Sequence, residues 1–389
     1  MAPQQLEIDL GEDNVDIDDE VEVEIWNQDT SQGDEPRPFD PNQIRVRQEP
    51  YVVYNLMESL KAGDLDLAPE FQRHAGIWDP ERQSRLIESL LIRIPLPAFY
   101  LDELPAAKGE LTQRLAVVDG VQRLTTLARF INEKSFKLSR LEFLNLNGKG
   151  FDDLDPPLQR RILEAKLVAY VVESGTPPAA KLNIFKRINT GGLSLTAQEI
   201  RHAMNPGPVR RFLGELGSSS EFAAAVGAKA QKKMAARMQD RECAVRFFAF
   251  LDGGTSRYRT SRNDFDGFLH DTMERINAVT PEELTELGRR FRRAMHNAHL
   301  LFGKVAFRKP GAGGPLNKAL FEATAVAIDG RTDDELLALQ RTKERLIEIY
   351  TESLDTPETL KSVTASTGDP NRVEARFRAL REVFTKALA

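Results

Sequence analysis

Two rhythms of apolar and polar positions divide the chain near residue 200. Before it, short apolar runs bounded by turn residues alternate with stretches that repeat every three to four residues, which predicts strands interleaved with helices. Residues 42–48, NQIRVRQ, alternate weakly and predict an edge strand. Tyr51–Lys61 predicts a helix with Val52, Val53, Leu56 and Leu60 on one face and Gly63 as its stop. The stretch from Leu67 to Trp78 is irregular. Asp79 as N-cap and Pro80 as first residue open a helix to Ile94, with Leu86, Ile87, Leu90, Leu91 and Ile94 as its stripe. Ala98–Leu101 and residues 113–118 read as buried strands and Lys166–Glu173 as the clearest strand of all. Helices are expected over Pro156–Ala165 and Ala179–Ile188, and Thr196-Ala-Gln-Glu199 has the form of a capping box.

After residue 200 the strand signals stop. Segments near 206–216, 221–251, 262–277, 281–306, 315–328, 333–354 and 371–388 carry helical periods, mostly amphipathic and rich in Arg and Lys. No repeat or sustained heptad is present. The expected fold is α+β: a small sheet with helices, followed by a mostly α-helical carboxyl-terminal region.

The most informative stretch is Leu115–Phe130, LAVVDGVQRLTTLARF. Its period changes from strand to helix at Gly120, where a residue without a Cβ lets the chain turn tightly or approach a ligand. Such a junction sets the positive end of a helix at the carboxyl end of a strand, a natural seat for an anion. Asp119, Gln122 and Arg123 then stand at its mouth as acceptor, neutral hydrogen-bonder and cation. The plainer alternative makes Asp119 a helix N-cap and Arg123 a solvated charge.

Charge sharpens the division of the chain. The net charge is −6, yet residues 1–40 hold fourteen acidic residues and one basic residue, so the remainder carries +7. An arm of that composition is expected to be disordered, or to fold back as a nucleic-acid mimic or dock a partner. The single cysteine, Cys243, excludes an internal disulfide, and a cytoplasmic location is the default. No run approaches the roughly 18 apolar residues of a membrane span, and the acidic start does not look like a signal peptide. His296 and His299 lie three apart on one expected helix, a weak metal signal.

Three stretches in register carry a resemblance: PEFQRHAGIWDPERQSRLIESLLIRIPLPAFYL (69–101), LAVVDGVQRLTTL (115–127) and FKRINTGGLSLTAQEIRHAM (185–204). Together they resemble the amino-terminal domain of GmrSD-type modification-dependent restriction proteins, a prokaryotic family marked by an Asp-Gly-Gln-Gln-Arg motif and related to the ParB and sulfiredoxin fold. The match covers roughly residues 44–204, and Arg237-Met-Gln-Asp-Arg-Glu242 looks like the family's helical continuation. Between the acidic, disordered tail expected over 1–40 from its charge and the helical domain expected over 206–389 from its periodicity, the resemblance implies a ParB-like nucleotide-binding domain with a small mixed sheet over 41–205.

It also implies nucleotide binding and hydrolysis, with an NTP and magnesium as cofactors, in defence against phage or other foreign DNA. Position by position, Asp119, Gly120, Gln122 and Arg123 occupy the signature motif, with Val121 where the family has its first glutamine. Gln72 and Arg73 match an early Phe-Gln-Arg element, and Arg187, Asn189, Thr190, Gly191 and Gly192 a later Arg-x-Asn-Thr-Gly-Gly stretch. Phosphoryl transfer needs charge held on phosphate oxygens and a metal placed. Arg73, Arg123 and Arg187 are therefore expected on phosphates, Asp119 on magnesium or an attacking water, and Asn189–Gly192 as a nest of N–H donors. Glu199 is accounted for by its capping box.

The residues leave three functions open: an NTP-hydrolysing sensor or regulatory subunit of a restriction system, a ParB-fold DNA-binding or DNA-nicking protein, and a nucleotide-binding module without turnover. No His-Asn-type nuclease segment is found in the helical half. Partners expected are a nucleotide, DNA through the basic helices after residue 200, and a separate nuclease or effector subunit, with no membrane.

Overall fold

The computed structural model describes residues 41–67, 78–104, 114–188, 195–261, 264–310 and 314–389. The acidic arm lies outside them. Five strands form one mixed sheet in the order β1-β5-β3-β4-β2. They are β1 (Val46–Val52), β2 (Leu65–Asp66), β3 (Phe99–Glu103), β4 (Leu115–Asp119) and β5 (Lys166–Val172). β1 runs antiparallel to β5 and β3 antiparallel to β4, while β5 pairs with β3, and β4 with β2, in parallel. The small mixed sheet, the edge position of the first strand and the helical carboxyl-terminal region are as expected.

Strand alternation gives the sheet two different faces. Leu167, Ala169 and Val171 of β5 point into a core shared with four helices: α1 (Val53–Ala62), α2 (Pro80–Leu91), α3 (Val121–Ile131) and α4 (Pro156–Leu163). Val172 lies on the other face, joined by Val118 of β4 and covered by Leu182 and Phe185 of α5 (Pro178–Ile188) and Ile200 of α6 (Ala197–Met204). Those two helices leave the β1 side of this face uncovered: Val46 and Val168 are 44% and 39% exposed.

From Val209 onward a separate and larger apolar core begins, reaching Ala387. The seam between the two parts is polar. Arg210 donates to the carbonyls of His202 (2.7 Å) and Ala203 (2.8 Å), which lie at the end of α6, and to Asp66 of β2 (2.6 Å). A cavity of about 480 Å³ opens there, with Arg114 and Arg211 on its wall.

Several elements differ from expectation for identifiable reasons. Tyr51 and Val52 belong to β1, paired with Leu167 and Lys166, so α1 starts at Val53. The second helix stops at Leu91 and leaves Ile94 49% exposed, because Arg93 turns to φ +64° and Pro95 disfavours helix before it. The single helix expected over 221–251 is three, Ser220–Val226, Ala228–Ala236 and Gln239–Phe250, broken where Gly227 and Met238 take φ +98° and +53°. Helices at Gly254–Thr260 and Pro357–Thr364 were not foreseen. No helix among the described residues is long and apolar enough to cross a membrane.

Candidate functional site

The turn at Gly120 is built by a mismatch in the sheet. Down the β3–β4 pair, Glu103, Asp102 and Leu101 oppose Leu115, Ala116 and Val117, but the next partner of Tyr100 is Asp119. Val118 is therefore an extra residue in β4, a bulge of the kind that re-aims a side chain at the rim of a sheet. It brings Asp119 opposite Tyr100 at the end of the strand.

Gly120 follows with φ +95°, ψ 8°, and serves as N-cap of α3. A Cβ there would overlap the Phe99 ring, so both the backbone angle and the space demand glycine. Asp119 therefore does not cap α3; it belongs to the strand end.

Arg123 occupies the space beneath. Its guanidinium donates to the carbonyls of Pro97 and Ala98 (3.2 Å) and to Asp119 Oδ2 (3.0 Å), and lies 4.4 Å from the Phe99 ring centroid. Its side chain is 10% exposed, against 37% for Asp119. Burial pushes the Arg123 pKa down, while Asp119 and Tyr100 oppose that shift. The cation expected at the mouth is thus largely an internal brace: it ties the entry to β3 to the turn and holds one oxygen of Asp119 in place.

Gln122 is half-buried and its Oε1 accepts the Trp78 N–H at 3.3 Å. Val121 is buried in the core with Leu124 and Leu127. Position 121 faces inward, so valine there removes no amide from the solvent side.

Arg187 is exposed in the last turn of α5. Gln72, Arg73, Asn189, Thr190, Gly191 and Gly192 lie outside the described residues, as does His74. Their flanks are described: the Trp78 N–H meets Gln122, while Ile188 and Leu195 both pack against the cluster that holds Val118. The described flanks of the first and third stretches therefore meet residues within two positions of the Gly120 turn.

Glu199 forms the capping box with Thr196, accepting its N–H at 2.6 Å and donating its own N–H to the Thr196 hydroxyl at 3.1 Å. Its two oxygens also accept from one edge of the Arg237 guanidinium, Nε at 3.1 Å and Nη2 at 3.2 Å. The Arg237–Glu242 stretch is thus seated on α6, with Arg241 against His202 at 3.3 Å.

Sequence reasoning missed the aromatic pair beside the turn. Tyr100 and Tyr170 face each other in the β3–β5 register, with ring centroids 5.3 Å apart and planes 17° from parallel. Burial pushes the Tyr100 pKa up, and Tyr170 and Asp119 add to that rise. Each tyrosine sits at an off-core position of a strand that was foreseen, a signal available in the alternation. His296 and His299 are both exposed, and no group of three or more His, Cys, Asp or Glu able to hold a metal occurs among the described residues.

These features define a class: a small α+β domain whose strand-to-helix turn presents a carboxylate beside a helix amino terminus, seated on a helical body. Residues 53–205 match the family model of the GmrSD restriction endonuclease N-terminal domain, and this segment is a domain of that family. No curated protein matches the chain.

Proposed function

We propose that the chain is an NTP-binding, NTP-hydrolysing sensor of a prokaryotic restriction system, with the nucleotide phosphates seated at the Gly120 turn. The family of residues 53–205 supports the restriction setting. The nucleotide reading rests on one observation, the bulge and glycine that set Asp119 beside the amino terminus of α3. The first N–H groups of a helix lack intrahelical partners and favour anions.

Asp119 offers Oδ1 to an attacking water or a metal ion, since Oδ2 is engaged by Arg123. Magnesium prefers phosphate oxygens, waters and one or two carboxylates, so a single aspartate fits an ion that arrives with the nucleotide. Arg123 acts through the turn as a positioning residue. Arg187, together with Arg73, Gly191 and Gly192 of the motif stretches outside the described residues, is assigned to the phosphates, and Gln122 fixes the chain at Trp78. DNA contacts by the helical half draw on exposed Arg211, Lys229 and Lys232, and cleavage falls to a separate nuclease or effector.

The test is magnesium-dependent phosphate release by the full chain. Release that disappears in Asp119→Ala while nucleotide is still bound supports the reading. Binding without release makes the protein a nucleotide-reading module, plasmid nicking without NTP makes it a nuclease, and absence of nucleotide binding sinks the proposal.

A further inference from the structure

The face of the sheet that begins at Asp119 is only half covered. α5 and α6 close over Val118 and Val172, with Tyr100 packed at the edge of that cluster, and the rest runs outward across the strands toward β1. Register places Asp119, Tyr100, Tyr170 and Gln48 in one row, on β4, β3, β5 and β1. Both tyrosines are half-buried, Gln48 is exposed, and Val168 beside Tyr170 is 39% exposed. A pair of stacked tyrosine rings with an apolar margin thus leads away from the turn, its outer ring face turned along the row toward a side-chain amide that can both donate and accept hydrogen bonds.

We propose that Tyr100 and Tyr170 are the platform on which the base of the nucleotide stacks, with Gln48 at its outer rim reading the base edge. The proposal rests on the phosphate seat at Gly120 and adds the subsite that holds the other end of the ligand. A nucleobase is the fitting occupant because its π-face suits a tyrosine ring whatever its identity, and the row starts beside the carboxylate that marks the phosphate end. A tyrosine pair kept only to stabilise the sheet would leave ligand affinity untouched.

The experiment compares affinity of the full chain for a nucleoside triphosphate and for inorganic tripolyphosphate, which shares the phosphates and lacks the base. Tyr170→Leu keeps an apolar strand residue and Tyr170→Phe keeps the ring; melting temperature is followed for both. Tyr170→Leu is expected to weaken nucleoside triphosphate binding about five- to a hundred-fold and leave tripolyphosphate unchanged, with Tyr170→Phe close to wild type. Saturation transfer from tyrosine ring protons to base protons in the wild-type complex gives a second readout independent of any variant. Equal weakening for both ligands, or none for either, overturns the platform while the phosphate seat stands. If the wild-type chain binds neither ligand, the phosphate seat fails and the platform fails with it.

Discussion

At the Gly120 turn one buried arginine faces one half-open carboxylate, whereas in the helical half cations and carboxylates alternate through the interior, each carboxylate held by two or more cations or at the end of the series. The buried series runs from Asp266 to Arg201 (2.6 Å), Glu242 (3.9 Å), Arg246 (2.8 Å), Glu322 (3.3 Å) and Arg376, with Lys318 also on Glu242 (3.3 Å). Burial pushes the Glu242 carboxyl up, but Lys318, Arg246 and Arg201 more than offset that and hold it well below the usual range. Both regions use arginine to organise structure. They differ in exposure: Glu242 and Glu322 are enclosed between cations, while Asp119 at the turn is 37% exposed with a single cation on one oxygen. Removing a carboxylate should therefore damage stability in the buried series and chemistry at the turn.

The sharpest way to break that contrast is Glu322→Ala. Glu322 is wholly buried between Arg246 and Arg376, and its loss strands two guanidiniums, at an expected cost of about 3–5 kcal/mol in denaturant unfolding. A cost below about 1 kcal/mol would show the series to be loosely coupled. Gly120→Ala comes next, at about 2–4 kcal/mol, because it combines an unfavourable φ with overlap on Phe99. It should also abolish phosphate release, since the ring or the turn must shift.

Arg123→Ala is expected to cost about 2–3 kcal/mol, from carbonyls left without their donor. Arg123→Lys should recover only part of this, because a lysine cannot bridge the two carbonyls and Asp119 with one planar fork. If instead stability is unchanged and only nucleotide affinity falls, Arg123 is a ligand contact and not a brace.

His202, at the seam, tests the comparison by pH. Burial, with Arg210 and Arg241 beside it, pushes its pKa from 6.5 down to about 2. The unfolded chain takes up a proton near pH 6.5 that the native ring refuses, so this stability is complete above that pH and is lost as pH falls below it. Relative to His202→Gln, the wild type should lose about 1.4 kcal/mol per pH unit below 6.5. Parallel curves would mean that the native ring protonates after all. The smallest stability effect belongs to Asp119→Ala, under about 1 kcal/mol, because the carboxylate is 37% exposed and Arg123 keeps its two carbonyl acceptors, with phosphate release nevertheless lost.

Much of this was legible in the sequence where the cause is local. The period change at Gly120, the Thr196–Glu199 capping box and the strand at 166–172 each follow from residues within a few positions of one another. The destinations of the arginines were not legible. Arg246 meets Glu322, 76 residues away, and a basic helix face reads the same whether its partner is solvent or a buried glutamate. The breaks within 221–251 were hidden because the apolar period continues through them, and nothing marks Met238 for a left-handed conformation. Asp119 was recognised as chemically apt, but its placement depends on Val118 being surplus in the pairing with β3, which only the register reveals.

That surplus residue has a consequence for how the site is encoded. A strand counts in twos and a helix in steps of 3.6, so joining them requires a correction of phase, and Val118 supplies it. Remove one residue between Leu115 and Val118 and every letter of the Asp-Gly-x-Gln-Arg motif survives, yet the correction is gone and the motif no longer meets Tyr100 in step. Here the arithmetic of the chain specifies the site as much as its alphabet does.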